Sequence, residues 1–503
     1  MLHMLSSTFF RKLQLNFIYL RLIITAVTAV IISIPGFASA QNRVTANKVI
    51  IYPMPKGEAP NTTYKIFVSG KTVPVYSARV GAADPARRFK AVDDLMHSAD
   101  YFDTAAFAYF DMQGTAPVRV QINGAVRSVT VLPTSAAIKP LINGNSISFT
   151  ARKPQNLTIE INGETVKSLH LFINPPETNR PSPNDPNVIF YGPGLHELTS
   201  LVVGDNKTLY VAGGAIVRTV IGKEEKFDVE PAGIRNYPPS IILAGRNVKL
   251  KGRGIIDAGL LPTHSRNMVF SSGNGLSLEG VILRNTSAWT MHVYKAANVS
   301  IDNIKILGYR ANSDGIDISN SRNVVVNNCF VRTNDDLVVV KSWEGQGRSE
   351  HIIVQNCVLW NQLAHALSLG AELREDVNDV VFKNCDIIHD TGREWSLRIF
   401  HSDSSRISNI VFQNIRIEES HRFISLWTGK NVHSSQKKYG TIENVTFKDI
   451  KVTGQPLSIE LIGGDNDHSI KNVVFKNVTV NNKPLNNAGV GQNPFVKGLM
   501  ISR

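Results

Sequence analysis

Cysteine is nearly absent from this chain, with three residues among 503. Disulfide frameworks occur in short secreted chains with even cysteine counts, so none is expected here. No Cys-x-x-Cys pair or histidine-rich spacing suggests zinc, and no metal or other cofactor is implied. Charged residues make up only 19% of the chain, and no nucleic-acid-binding motif is among them. Helical patterning is equally scarce, with one candidate around Ala86–Met96. The apolar run Leu22–Ile34 is short for a membrane span. It follows Arg11, Lys12 and Arg21 and precedes Phe37-Ala38-Ser39-Ala40. A basic stretch, an apolar stretch and small residues in that order read as a signal peptide over residues 1–40, with an uncleaved anchor as the other reading. The protein is thus expected to be secreted or periplasmic, free of the membrane after cleavage, and monomeric. The net charge is +13 and falls to +10 without residues 1–40, which carry three basic and no acidic side chains. A basic exported protein can be drawn to polyanions such as acidic polysaccharide, although such a charge also serves solubility alone.

What the chain does contain is a repeat. It reads NVSIDNI from Asn298, NVVVNNC from Asn323, HIIVQNC from His351, DVVFKNC from Asp379, NIVFQNI from Asn409, NVTFKDI from Asn444 and NVVFKNV from Asn472. Successive copies are offset by 25, 28, 28, 30, 35 and 28 residues. Such a period marks stacked supersecondary units. Each unit alternates apolar and polar residues over a short β-branched run, which is a strand pattern. The fold expected is all-β, a right-handed parallel β-helix whose coils pair about 4.8 Å apart. Asn303, Asn328, Asn356, Asn384, Asn414 and Asn477 share one repeat position, with Asp449 substituting once. Stacked amides can bond along such a column, and asparagine tolerates the bend that ends a strand. Cys329, Cys357 and Cys385 occupy the next position and read as small core residues.

Residues 41–175 differ. Alternating segments at 65–69, 118–122, 128–132, 146–150, 157–161 and 168–172 are separated by turns such as Asn143-Gly144 and Asn162-Gly163. That spacing predicts a small antiparallel β-sandwich, serving either to bind sugar or to brace the domain that follows. A proline-rich linker at 176–186 then leads to the β-helix of 187–503.

Three acidic residues stand out within the repeat. Asp314 lies in Asn312-Ser313-Asp314-Gly315-Ile316-Asp317, and Asp335 and Asp336 follow about one coil later. His365 comes 29 residues after Asp336, and Arg398 comes 33 after His365. Successive coils would place Asp314, Asp335/Asp336, His365 and Arg398 in one outward column, the floor of a groove suited to a polymer. Asp335 and Asp336 are neighbours, so both reach the groove only at a bend. Taken singly, each Asp-Gly is an ordinary turn, and Asp317 reads as structural. Clustered carboxylates cannot all ionise, so at least one pKa should rise and supply an acid. Paired carboxyl groups, one protonated and one ionised, cleave glycosidic bonds.

From Asn187 onward the chain resembles glycoside hydrolase family 28, the polygalacturonase-like hydrolases. Gly252-Arg-Gly-Ile-Ile-Asp257 and Leu283-Arg-Asn-Thr-Ser-Ala-Trp289-Thr-Met-His292 resemble early coils of that family. Asn312–Asp317 is similar to its Asn-Thr-Asp-Gly stretch, and Asn334-Asp335-Asp336 to its paired aspartates. Ala364-His365-Ala366 stands where the family has Gly-His-Gly, and Leu397-Arg398-Ile399-Phe400 where it has Arg-Ile-Lys. The resemblance implies inverting hydrolysis of a polysaccharide, most readily a pectic one. Asp335 would be the general acid, and Asp314 and Asp336 would hold and deprotonate water. That arrangement calls for carboxyl separations of roughly 6.5–9.5 Å. His365 would tune the acid or touch sugar, and Arg398 would bind substrate with Lys341 nearby. Phe400 in place of the lysine removes a point charge. Arg398 could still grip a carboxylate bidentately, or Phe400 could stack on a neutral pyranose. Glu372 and His401 are further substrate-binding candidates. His389, Arg393, Glu394, Trp395 and Asp403 crowd the same region, as groove lining or polar edge. Family 49, the dextranases and isopullulanases, has a similar sandwich-plus-helix layout and makes an α-glucan the alternative substrate. A β-helix lyase using calcium and a basic residue, and a non-catalytic carbohydrate-binding β-helix, are the readings from other classes.

Overall fold

Three parallel ladders run the length of the β-helix. One joins Ile241–Arg246, Val269–Glu279, Met291–Asp302, Ile316–Ser319, Val338–Ser342, Leu367–Leu373, Leu397–His401, Ile424–Thr428 and Ile459–Ile462 in coil order. The computed structural model describes residues 47–503 apart from 94–100, 231–232 and 456. The expected signal peptide lies outside the described residues, among which no helix is long and apolar enough to cross a membrane.

The second ladder carries the repeat. Its leading residues, Asn298, Asn323, His351, Asp379, Asn409, Asn444 and Asn472, all have φ between 53 and 59°. The other conserved-position set, Asn303, Asn328, Asn356, Asn384, Asn414, Asp449 and Asn477, has φ between 50 and 57°. Each coil therefore turns twice through the left-handed region, which asparagine and aspartate enter at least cost among residues with a side chain. The amides then bond from coil to coil. Asn323 donates to Asn298 at 3.0 Å, Asn444 to Asn409 at 3.1 Å, and Asn472 to Asn444 at 3.0 Å. Between the bends, alternate side chains enter the core. Phe382, Phe412, Phe447 and Phe475 stack there with ring centroids 4.9, 4.9 and 5.0 Å apart, the ladder spacing itself. Cys329, Cys357 and Cys385 are free and buried in the same core.

The third ladder turns an apolar face outward, and the N-terminal strands cover it. Ile255, Ile282, Leu307, Phe330, Val358 and Ile388 pack against Tyr76, Phe107, Tyr109 and Phe172. Those four residues belong to one of two stacked sheets, built from Lys48–Ile50, Tyr76–Gly81, Phe102–Gln113, Val129–Leu132, Gln155–Ile161 and Glu164–Asn174. The second sheet holds Tyr64–Val68, Lys71–Val73, Ala116–Ile122, Leu141–Asn143 and Ser146–Ala151. Pairing is antiparallel except between Ala106–Asp111 and Leu169–Asn174, which run parallel. The sandwich and β-helix together form one compact unit. The strands at 76–81 and 102–113 escape the alternation pattern for one reason. Ala106, Ala108 and Phe110 face the sandwich core while Phe107 and Tyr109 face the β-helix, so both sides are apolar. Buried polar pairs lock the junction, including Arg253 Nε to Asp111 at 3.2 Å. Behind the loops that follow the third ladder, Gln362 Nε2 donates to Gly81 O at 3.0 Å and Arg79 N to Asn285 Oδ1 at 2.9 Å. The helix Pro85–Asp93 adds Arg88 Nη2 to Thr391 O at 3.2 Å. The sandwich thus holds the outer side of the loops from which the acidic residues project.

Candidate active site

The acidic residues stand at the corner between the third and first ladders. Ile316, Val338, Leu367 and Leu397 are in register, and Asp314, Asp336, His365 and Trp395 each lie two residues ahead of them. Arg398 is not in this column. It pairs with Ser368, which pairs with Val339 and so with Asp317, three residues further along each coil. Two neighbouring columns therefore make the site where one was expected, because the loop before Leu397 is longer than the loops before it. Asp335 and Asp336 occupy the bend between Phe330–Thr333 and Val338–Ser342, which lets both face the same opening.

One oxygen from each of Asp314, Asp335 and Asp336 lies within 4.8 Å of the others. These nearest oxygens are closer than the roughly 6.5–9.5 Å expected between inverting carboxyl groups. Asp335 is the most open of the three; Asp314 and Asp336 are buried. Its Oδ1 accepts from Asp336 N at 2.9 Å and its Oδ2 from Asn312 N at 3.1 Å. His365 Nδ1 meets Asp336 Oδ1 at 2.6 Å, and Arg398 Nη1 meets His365 Nε2 at 2.9 Å. A guanidinium can only donate, so Nε2 is the acceptor and Nδ1 carries the proton that goes to Asp336. On the other side, Lys341 Nζ is 3.2 Å from Asp314, 2.9 Å from Asp317 and 3.9 Å from Glu372. The same ammonium sits 3.9 Å from the Trp289 ring centroid.

These contacts separate the carboxyl groups electrically. Burial and the adjacent charges of Asp314 and Asp336 hold Asp335 well above the usual carboxylate range. Burial raises Asp314 to about 6, against the pull of Lys341. Burial also opposes ionisation of Asp336, but the charge and hydrogen bond of His365 outweigh it and leave this group below its ordinary value. Lys341, though desolvated, is held charged by Asp317, Asp314 and Glu372. The site thus offers a protonated acid beside an ionised base, the division glycosidic cleavage requires. The three oxygens also lie near enough to ligate one divalent cation.

The other candidates divide. Lys341, Glu372 and Arg398 adjoin the acidic trio, and Phe400 lies half-buried beside Arg398. Arg398 passes 3.9 Å from the Phe400 ring centroid, and Trp427 lies 5.0 Å from Phe400 on the next coil. His401 is a correction. It follows Leu397 and Ile399 on the inward parity of its strand, is wholly buried, and bonds Ser405 O at 2.7 Å, so it cannot meet substrate. The bidentate grip expected of Arg398 is a second correction. Nη1 is shared between His365 and Glu394, the latter at 2.6 Å, and Nε is buried without a partner. His389 is drawn away to Glu160 of the sandwich at 2.6 Å, and Asp403 binds the backbone of Ser435 and Gln436. Sequence reasoning placed Asp317 in the scaffold and left Glu394 undecided; each proves to be the counter-ion of a groove cation. At the far end of the outward column, Phe270 and His292 line a depression of about 720 Å³ with Phe227 and Tyr237.

A parallel β-helix with convergent, electrically divided carboxyl groups defines the class, a β-helical glycoside hydrolase. Residues 260–488 match the sequence model of glycosyl hydrolases family 28. This stretch of the chain belongs to that polygalacturonase-like family. It is 28% identical over 216 residues to an exopolygalacturonase of Arabidopsis thaliana, covering 39% of this chain and 46% of that one. It is 26% identical over 231 residues to an endo-polygalacturonase of Pectobacterium carotovorum subsp. carotovorum, covering 43% and 47%. The chain thus spans less than half the length of these curated relatives. Among solved structures, Dex49A from Penicillium minioluteum superposes with a TM-score of 0.62 at 14% identity, over 90% of this chain and 96% of that one. The family 28 exopolygalacturonase of Yersinia enterocolitica gives 0.50 at 15% identity, over 91% and 96%. These structural likenesses extend across the sandwich as well as the β-helix.

Proposed function

We propose that this chain is an exported hydrolase that cleaves O-glycosidic bonds of a pectic polysaccharide by single displacement with inversion. The observation that carries the reading is the opposed electrostatics of Asp335 and Asp336 at the open corner of the β-helix. Asp335 protonates the leaving oxygen. Asp336, kept ionised by His365, takes the proton of a water held between it and Asp314. Nearest-oxygen distances are lower bounds on carboxyl separation, so the close approach of the trio does not by itself select retention. Two carboxylates on one water with a third as acid favour the single step. Lys341 supports hydrolysis over β-elimination, because an ammonium held charged by three carboxylates is a poor base. The pattern of residues 1–40 supports export.

The test is reducing-sugar release by the purified protein from pectic, α-glucan and galactan polymers, with the anomer formed first read by proton NMR. Asp335→Asn should fold normally and lose nearly all turnover. Hydrolysis by that variant at a rate near that of the parent would reject the assignment. An α-glucan is the second reading, favoured by the aromatic Phe400 where a uronate-binding lysine was expected. Ultraviolet-absorbing unsaturated products would instead indicate a lyase.

A further inference from the structure

The cations of the trough are already spent on the protein's own carboxylates. Lys341 serves Asp314, Asp317 and Glu372, and Arg398 serves Glu394. Six carboxyl groups, Asp314, Asp317, Asp335, Asp336, Glu372 and Glu394, thus surround two cations and a neutral His365. Arg398 grips a sugar carboxylate well only through a two-pronged edge. That edge is gone, since Nη1 is shared by His365 and Glu394 while Nε is buried. Nη2 remains as a single donor, the kind of contact a hydroxyl accepts. Glu394 stands against Arg398 where a uronate carboxylate would have to go, and like charges brought together there would repel. Beside this point the surface becomes aromatic. Phe400 lies under the guanidinium, Trp427 continues it one coil on, and Trp395 flanks it at 4.7 Å from the Arg398 guanidinium carbon. Apolar ring faces with one directional donor suit the hydroxylated face of an uncharged pyranose.

We infer that the subsite formed by Arg398, Glu394, Phe400 and Trp427 takes a neutral sugar, with Glu394 acting as a built-in substitute for a substrate carboxylate. The inference rests on the hydrolase reading above and specifies the substrate within it: a pectic chain in which neutral residues interrupt or alternate with uronates, rather than an unbroken polyuronate. Glu394 and Phe400 are then the residues that set specificity.

The experiment compares kcat/KM on size-matched homogalacturonan oligosaccharides and on a pectic backbone alternating neutral and uronate sugars, for the parent, Glu394→Gln and Phe400→Lys. The parent should prefer the alternating chain by at least about tenfold. Glu394→Gln frees the Arg398 edge and Phe400→Lys adds a point charge, so each should narrow that preference by raising the rate on homogalacturonan. A parent that prefers homogalacturonan, with both variants leaving the ratio unchanged, overturns the neutral subsite while the hydrolase reading stands. Cleavage confined to an α-glucan supports the neutral subsite and removes the pectic assignment. Failure to cleave any polymer removes the hydrolase reading and this inference with it. Calorimetric titration of Asp335→Asn with both oligosaccharides adds a readout independent of turnover: tighter binding of the all-uronate chain would count against the proposal.

Discussion

His365 donates its Nδ1 proton to Asp336 Oδ1 across 2.6 Å, and its other ring nitrogen accepts from Arg398. This bond keeps Asp336 ionised in a buried setting that would otherwise protonate it. A hydrogen bond to a charged group contributes about 1.5–3 kcal/mol, equivalent to about one to two pKa units. His365→Ala should therefore move the acid limb of the kcat/KM profile to higher pH by about that amount. The alkaline limb, set by Asp335, should move less. A pH–rate profile that falls in height with both limbs unmoved would contradict the role assigned to His365.

Asp314 carries a stability cost that follows from the same burial. Its folded pKa of about 6 lies above the ordinary value of 3.8, so the native state binds this proton more tightly than the unfolded chain does. The stabilisation is therefore fully present below about pH 4 and is lost as pH rises through about 6. Asp314→Asn removes that loss. It should stabilise the protein at pH 8 by roughly 2–3 kcal/mol and change little at pH 4, while abolishing most activity. Urea unfolding at the two pH values measures the difference; a gain confined to pH 4 would refute the sign.

Legibility of the sequence followed exposure. The second ladder could be read directly because its bends demand asparagine and its strands alternate, so Asn298 to Asn472 declare both period and register. The strand at 102–113 could not, since Phe107 and Phe110 are apolar on opposite faces and no alternation survives. The acidic trio was visible as residue types, but the column through Arg398 was not. Coil length varies from loop to loop, and a spacing of 33 residues conceals a shift of three along the strand. His401 was placed wrongly although its parity with Leu397 and Ile399 pointed inward. Glu394 gave no signal as the partner of Arg398, because that contact is made by a loop whose path sequence spacing does not fix.

Asn409 tests the physical reading of the repeat. Its φ is 59°, it donates to Asn378 at 2.8 Å, and it accepts from Asn444 at 3.1 Å. Asn409→Ala loses both amide bonds and forces a Cβ-bearing residue without a local hydrogen bond into the left-handed region. The expected cost is about 2 kcal/mol. Asn409→Gly loses the bonds but relieves the backbone, and should cost less. Denaturant unfolding of the two variants gives the order directly. If glycine proved as costly as alanine, the backbone part of the argument would be wrong.

Asp111 and Arg253 test whether the sandwich and the β-helix fold as one body. The pair is buried on both sides, and Asp111 also accepts from Tyr52 Oη at 2.9 Å. Asp111→Ala leaves a guanidinium inside the junction with only the carbonyls of Gly252 and Pro175 as partners. Breaking a buried pair from one side costs about 3–5 kcal/mol, whereas replacing both partners by apolar groups is often neutral. Asp111→Ala should therefore lower the unfolding midpoint sharply while keeping a single transition, and Asp111→Leu with Arg253→Met should recover most of the loss. The contacts from Gly81 and Arg88 to Gln362 and Thr391 link this junction to the loops behind the carboxyl groups. Activity of Asp111→Ala should accordingly fail at a lower temperature than that of the double variant. Two separate unfolding transitions, with activity surviving the first, would show that the sandwich is dispensable to the site.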